Sequence, residues 1–174
     1  MHPRAAIREA FRDRLIAANT GAGSRVHNSR IAPIGDKDEL PAILIYSRDE
    51  KSDADKDYGV AGEDSYRERT LRLVTEAVVA GNITVDDRLD AFAEQIEAAL
   101  DDWDVPGFES ARVRLIETDI DVVTDGVNFP IGAIGLLWQV RYRTSWRPQP
   151  VTETADDVFA IINGYDPHQV VNGP

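Results

Sequence analysis

Asp53, Asp55, Asp57 and Asp64 stand at positions one, three, five and twelve of a calcium-loop spacing, where carboxylate oxygens converge on a hard cation. The pattern fails at Tyr58, because that position must turn sharply and takes glycine, and the flanks read as strands rather than helices. A solvated acidic loop that attracts Mg²⁺ loosely, without a dedicated metal or cofactor site, is the expectation. Asp49-Glu50-Lys51 matches the acid-x-lysine half of a metal-dependent nuclease but lacks an upstream acid on a preceding strand. Glu117, Asp119 and Asp121 share a face if their strand is regular and could gather a cation, although solvent exposure of that face accounts for them more simply. His2, His27 and His168 lack the spacing of a metal site or triad, and Gly132 and Gly135 precede no helix start or Lys-Ser/Thr pair that would make a phosphate loop. No catalytic residue, cofactor site or metal site is assigned, so the expectation is a protein without enzymatic activity.

Composition narrows the classes further. The chain has 174 residues, enough for one substantial core, and a formal net charge of -12 that opposes binding to a phosphate backbone. A local basic patch, Arg141-Tyr-Arg-Thr-Ser-Trp-Arg147, reads as the solvated face of an edge strand beside a structural Tyr142. The absence of cysteine removes disulfides, thiolate metal sites and cysteine nucleophiles together. No apolar run approaches the ~20 residues needed to span a bilayer, and the N-terminus leads into an amphipathic pattern, so a soluble, unexported protein with no membrane partner is expected.

The elements that position these residues follow from periodicity. Ile7, Phe11, Leu15 and Ala18 form one stripe of a helix from Pro3 to Ala18, ended by Gly21-Ala-Gly23. A short strand follows near Arg25 to Asn28, and then a Pro- and Gly-containing loop. Ala42 to Tyr46 is apolar without alternation, so both faces of that strand should be covered, one by the core and the other by a second subunit. An acidic loop from Ser47 to Ser65 and a half-buried strand from Tyr66 to Val79 come next. Thr84-Val-Asp-Asp87 reads as a capping-box variant opening a helix with Leu89, Phe92, Ile96, Leu100 and Trp103 inward, stopped by Pro106-Gly107. Ala111 to Val123 is strand-like with a phase shift that predicts a bulge near Glu117, and Ile131 to Ser145 is a strand burying Ile134, Leu136, Trp138, Val140 and Tyr142. The order implies an α+β fold, a mixed or antiparallel sheet with two helices packed on one face and a long acidic loop between two strands. Residues 1–146 form the domain, and 147–174, with four prolines and little periodicity, form a C-terminal extension.

Taken together, the amphipathic first helix, Ser29-Arg30, Glu39-Leu-Pro-Ala-Ile-Leu-Ile-Tyr46, the charged loop, the Arg-rich strand from Tyr66, Asp86-Asp-Arg-Leu-Asp90-Ala-Phe-Ala-Glu-Gln-Ile-Glu97 and Gly135-Leu-Leu-Trp-Gln-Val-Arg-Tyr142 resemble the tail terminator proteins of long-tailed bacteriophages, also called minor tail protein U. The resemblance implies a virion protein, assembled in the host cytoplasm, that forms a homohexameric ring at the head-proximal end of the tail. Such a ring caps the tail tube protein, stops its polymerisation and offers a joining surface to the head connector or neck protein, while DNA passes through without specific binding. On that footing Arg30, Arg48 and Arg67 are candidates for subunit contacts, and Asp53, Asp55, Asp57, Glu63 and Asp64 for the channel or tube-facing surface. The alternatives are another neck ring protein (a head- or tail-completion factor), an assembly chaperone absent from the particle, and a small metal-dependent enzyme using the loop carboxylates.

Overall fold

A computed structural model describes residues 1–28, 39–58, 66–80, 84–123 and 131–145, with the backbone alone at 54–58 and 123. In chain order these form α1 (Pro3–Ala17), β1 (Val26–Asn28), β2 (Ala42–Tyr58), β3 (Tyr66–Ala80), α2 (Val85–Leu100), β4 (Arg112–Val123) and β5 (Ile131–Ser145). The strands make one five-stranded sheet in the order β1-β2-β3-β5-β4, with β1 parallel to β2 and the remaining pairs antiparallel. This is the α+β architecture with a mixed sheet that periodicity predicts. The expected C-terminal extension lies outside the described residues.

Both helices pack on the same side. Ile7, Phe11 and Leu15 of α1 and Leu89, Phe92, Ile96 and Leu100 of α2 share a core with Ile43, Ile45, Leu71, Leu73, Ile134, Leu136, Trp138, Val140 and Tyr142 of the sheet. Helical spacing of three and four on one partner and alternation of two on the other make such a layer possible. Arginines on the flanks of the helical stripes tie the helices to backbone carbonyls of neighbouring elements. Arg14 Nε donates to Ala99 O at 2.9 Å and Arg88 Nη1 to Ala80 O at 2.8 Å. His2 has a definite task, since it caps α1 by accepting the Arg4 N–H at Nδ1 over 3.2 Å.

Four local expectations are corrected. The strand carrying Arg141 and Arg143, read as an edge strand, is β5 and lies inside the sheet between β3 and β4. Ser47 to Tyr58, read as part of a loop, continues β2 and pairs with β3 through register shifts at Ser47/Asp49 and Ser52/Asp57. Thr84 occupies the N-cap of α2, but its side chain caps no backbone N–H, so the capping box does not form. The second helix ends at Leu100, and Trp103 lies beyond it, half-buried and edge-on to Phe11 with centroids 5.6 Å apart. The bulge predicted near Glu117 is present, between Leu115 and Glu117.

Candidate functional site

The face of the sheet opposite the helices has no covering layer among the described residues, and strand register sets what it presents. One lateral row runs Lys51, Thr70, Arg141, Arg112, and the next Asp49, Arg72, Gln139, Arg114. The following rows are Tyr46, Val74, Leu137, Glu117, then Leu44, Glu76, Gly135, Asp119, then Ala42, Val78, Ala133, Asp121. One end of this face is therefore basic and the other acidic, with an apolar strip between the charges of the acidic end.

At the acidic end a groove of about 320 Å³ has Val74, Leu137, Gly135 and Ala133 as its floor. Its walls are Tyr46, Arg48, Glu76, Glu117, Asp119 and Asp121. Long polar side chains lean over the small apolar floor, so Val74 is only 9 % and Leu137 only 5 % exposed although no second layer lies above them among the described residues. Gly135 keeps the floor low, because a Cβ there would meet its nearest neighbours at an ordinary 3.9 Å and would stand in the groove. Tyr46 donates its hydroxyl to Glu76 Oε2 at 3.2 Å, and burial, reinforced by that carboxylate, pushes its phenol up to about 12. A separate apolar cluster of Leu40, Ala42 and Val78, flanked by Leu44, Ala80, Ile131 and Ala133, continues the strip on the same side. Thus Ala42 to Tyr46 is apolar on both faces, yet among the described residues only the helix side has a covering layer.

The basic end carries one strong ion pair. Arg72 Nε donates to Asp49 Oδ1 at 2.8 Å while its Nη2 contacts Asp49 Oδ2. This fork holds the Asp49 carboxyl below the usual carboxylate range. On the helix side of the same strands Glu50, with a side chain only 8 % exposed, accepts from Arg69 Nη1 at 3.1 Å and from the Tyr142 hydroxyl, with Arg4 Nε 3.7 Å away. Asp49 and Glu50 are therefore committed to structural partners. Lys51 shares the outer face with Asp49, but the Asp49 carboxylate is taken up by Arg72 and Glu50 turns to the helix side, so the three do not form a nuclease half-site. Among the described residues no cluster of three or more His, Asp or Glu side chains is placed to hold a metal ion.

The residues singled out from sequence fall in different places. Arg48 sits at the β2 irregularity, on the groove rim, with Nη1 4.0 Å from Glu117 Oε2. Arg67 stands farther out on β3, in register with Asp57 and Thr144, so it does not meet Arg48. Asp53 is a half-buried residue of β2, and Asp55 and Asp57 lie on the same strand, with only their backbone described. Arg30, Glu63 and Asp64 lie outside the described residues. Glu117, Asp119 and Asp121 do share a face as periodicity suggests, but Tyr46 and Glu76 join them only through the β3-β5-β4 order, which no local pattern encodes.

No family model matches the chain, and no curated protein matches it. A chain from the virion of a native gene transfer agent particle shares its fold, with a TM-score of 0.53 and 14% identity over 83% of this chain and 99% of that one. A second solved structure, 16% identical over 86% of this chain and all of that one, has a TM-score of 0.41 and is too distant to carry an argument.

Proposed function

We propose that this chain is a structural, non-enzymatic component of a phage or phage-like virion, the tail terminator, which forms a six-membered ring at the head-proximal end of the tail. In this role the ring caps the tail tube, stops addition of tube protein and presents the surface on which the head connector docks. The observation that carries this reading is the fold shared with a chain of the gene transfer agent virion over 99% of that chain's length. The sequence resemblance, spread in order over residues 1–146, supports a place at the head-proximal end of the tail. A sheet face that has no covering layer among the described residues, with apolar and charged parts, is suitable for a subunit contact.

The test is the absolute mass of the purified protein by light scattering over a concentration series, with negative-stain imaging, followed by addition to growing tail tubes. A ring near six times the 19.3 kDa chain mass that arrests tubes at a fixed length and sits at one end supports the terminator. A ring that binds heads but leaves tube growth unchanged would move the assignment to another neck ring protein. A chain missing from purified virions would identify an assembly chaperone instead.

A further inference from the structure

We infer that the uncovered face of the sheet is the surface by which this chain binds a second copy of itself, the basic end of one copy lying over the acidic groove of the next. The inference rests on the reading that the chain self-assembles, and it names the surface. Three observations carry it. The first is the charge division, with Arg112, Arg114 and Arg141 at one end and Glu76, Asp119 and Asp121 at the other. Asp119 and Asp121 are exposed, as are Arg114 and Arg141.

The second is distance. Arg141 and Gly135 lie six residues apart on β5, or about 20 Å at strand rise. Arg141 therefore does not reach Asp119, which stands opposite Gly135, or Asp121 beyond it within one copy, whereas a second copy can bring opposite ends together. The third is the apolar strip beside the acidic groove. Tyr46 is 39 % exposed there and Leu44 half-buried, while Leu40, Ala42 and Val78 beside them are already buried within the single chain. Apolar area with a charged surround is the composition of an interface whose burial supplies affinity and whose charges set register. DNA fits this face less well, because the groove adjoining the basic end is walled mainly by carboxylates.

The test uses two charge-reversed forms of the full chain, Asp119→Lys with Asp121→Lys, and Arg114→Glu with Arg141→Glu. Far-ultraviolet circular dichroism checks that both keep the wild-type fold. Each form alone should fall to the 19.3 kDa single-chain mass, because like charges then meet at the contact. An equimolar mixture should recover the wild-type assembly, since each form presents the complement of the other. If the wild-type particle is a closed pair of chains with the same mutational behaviour, the surface stands and the ring reading falls. If either form alone assembles as the wild type does, or the mixture stays monomeric, this surface is overturned while a wild-type ring still supports the terminator. A wild-type chain that stays monomeric throughout the series overturns both.

Discussion

Trp138 and Thr75 provide a sharp test of how the two central strands are joined. Trp138 Nε1 donates to Thr75 Oγ1 at 2.9 Å, and both residues are 0 % exposed. Replacing Thr75 with Val keeps the shape of the side chain and removes the acceptor, which leaves an indole N–H dry and without a partner. An orphaned donor of this kind costs about 1–3 kcal/mol. For a chain of this size such a loss lowers the melting temperature by roughly 2–4 °C per kcal/mol. Trp138→Phe removes the donor and part of the ring, and the resulting cavity costs about 1–3 kcal/mol by comparison with other large-to-small core changes. In the Trp138→Phe background no N–H remains to be orphaned, so adding Thr75→Val should cost almost nothing. The double-mutant cycle should therefore return a coupling of about 1–3 kcal/mol, read from urea unfolding at constant m-value. Equal costs of Thr75→Val in the two backgrounds would refute the reasoning, as would a Thr75→Val chain as stable as the wild type.

Two further changes probe the helix layer and the outer face. A Cβ at Gly132 would run into Val85 and approach Leu89 Cδ1 at 3.2 Å, so Gly132→Ala should push α2 off the sheet and cost about 1–3 kcal/mol, whereas Gly135→Ala, with 3.9 Å to its nearest neighbours, should leave urea stability of the free chain nearly unchanged. The Asp49 carboxyl is held low, chiefly by its hydrogen bond from Arg72, so the folded chain takes up a proton there less readily than the unfolded chain. Its stabilising contribution is complete above the unfolded carboxyl value of about pH 3.9 and is lost as pH falls through the lower folded value. Asp49→Asn should accordingly separate from the wild type in urea midpoint at neutral pH and converge with it in acid, and a pH-independent difference would assign the effect to something other than the ion pair.

How much of this was legible in the sequence depends on where the helices lie. Where a strand has a helix on one face and a largely polar other face, alternation marked it, as at Tyr66 to Val79 and Ile131 to Ser145, and even the phase slip at Glu117 marked the bulge. Beyond Ser47 the signal fails. That part of β2 turns residues such as Lys51 and Ser52 to solvent and gives Glu50 charged and phenolic partners instead of an apolar pocket. Without an apolar period, paired strand and acidic loop have the same appearance in sequence. Trp103 misled for the opposite reason. Its spacing from Leu100 and Ile96 suits a helix, but Asp102 adopts φ 50 and the chain has left the helix by then.

The outer face was less accessible still, for a topological reason. Its acidic groove joins Tyr46 of β2 and Glu76 of β3 to Asp119 of β4, with β5 inserted between β3 and β4 although it follows both in the chain. Local periodicity can assign each residue to a face of its own strand, but it cannot say which strands are neighbours. It did supply one constraint that the described residues meet on one face only. The unbroken apolar run Ala42 to Tyr46 calls for cover on two faces, and within the described residues the helices provide cover on one. The charged rim shelters the floor enough to hide Val74 and Leu137 while leaving Tyr46 partly in solvent. A face of this kind need not expose a large apolar patch in the free chain. It can still release apolar surface to a partner when the rim charges find their opposites. That combination is what the proposed contact between copies would use, since Tyr46 and Leu44 keep apolar surface on the outer side of the two-faced strand.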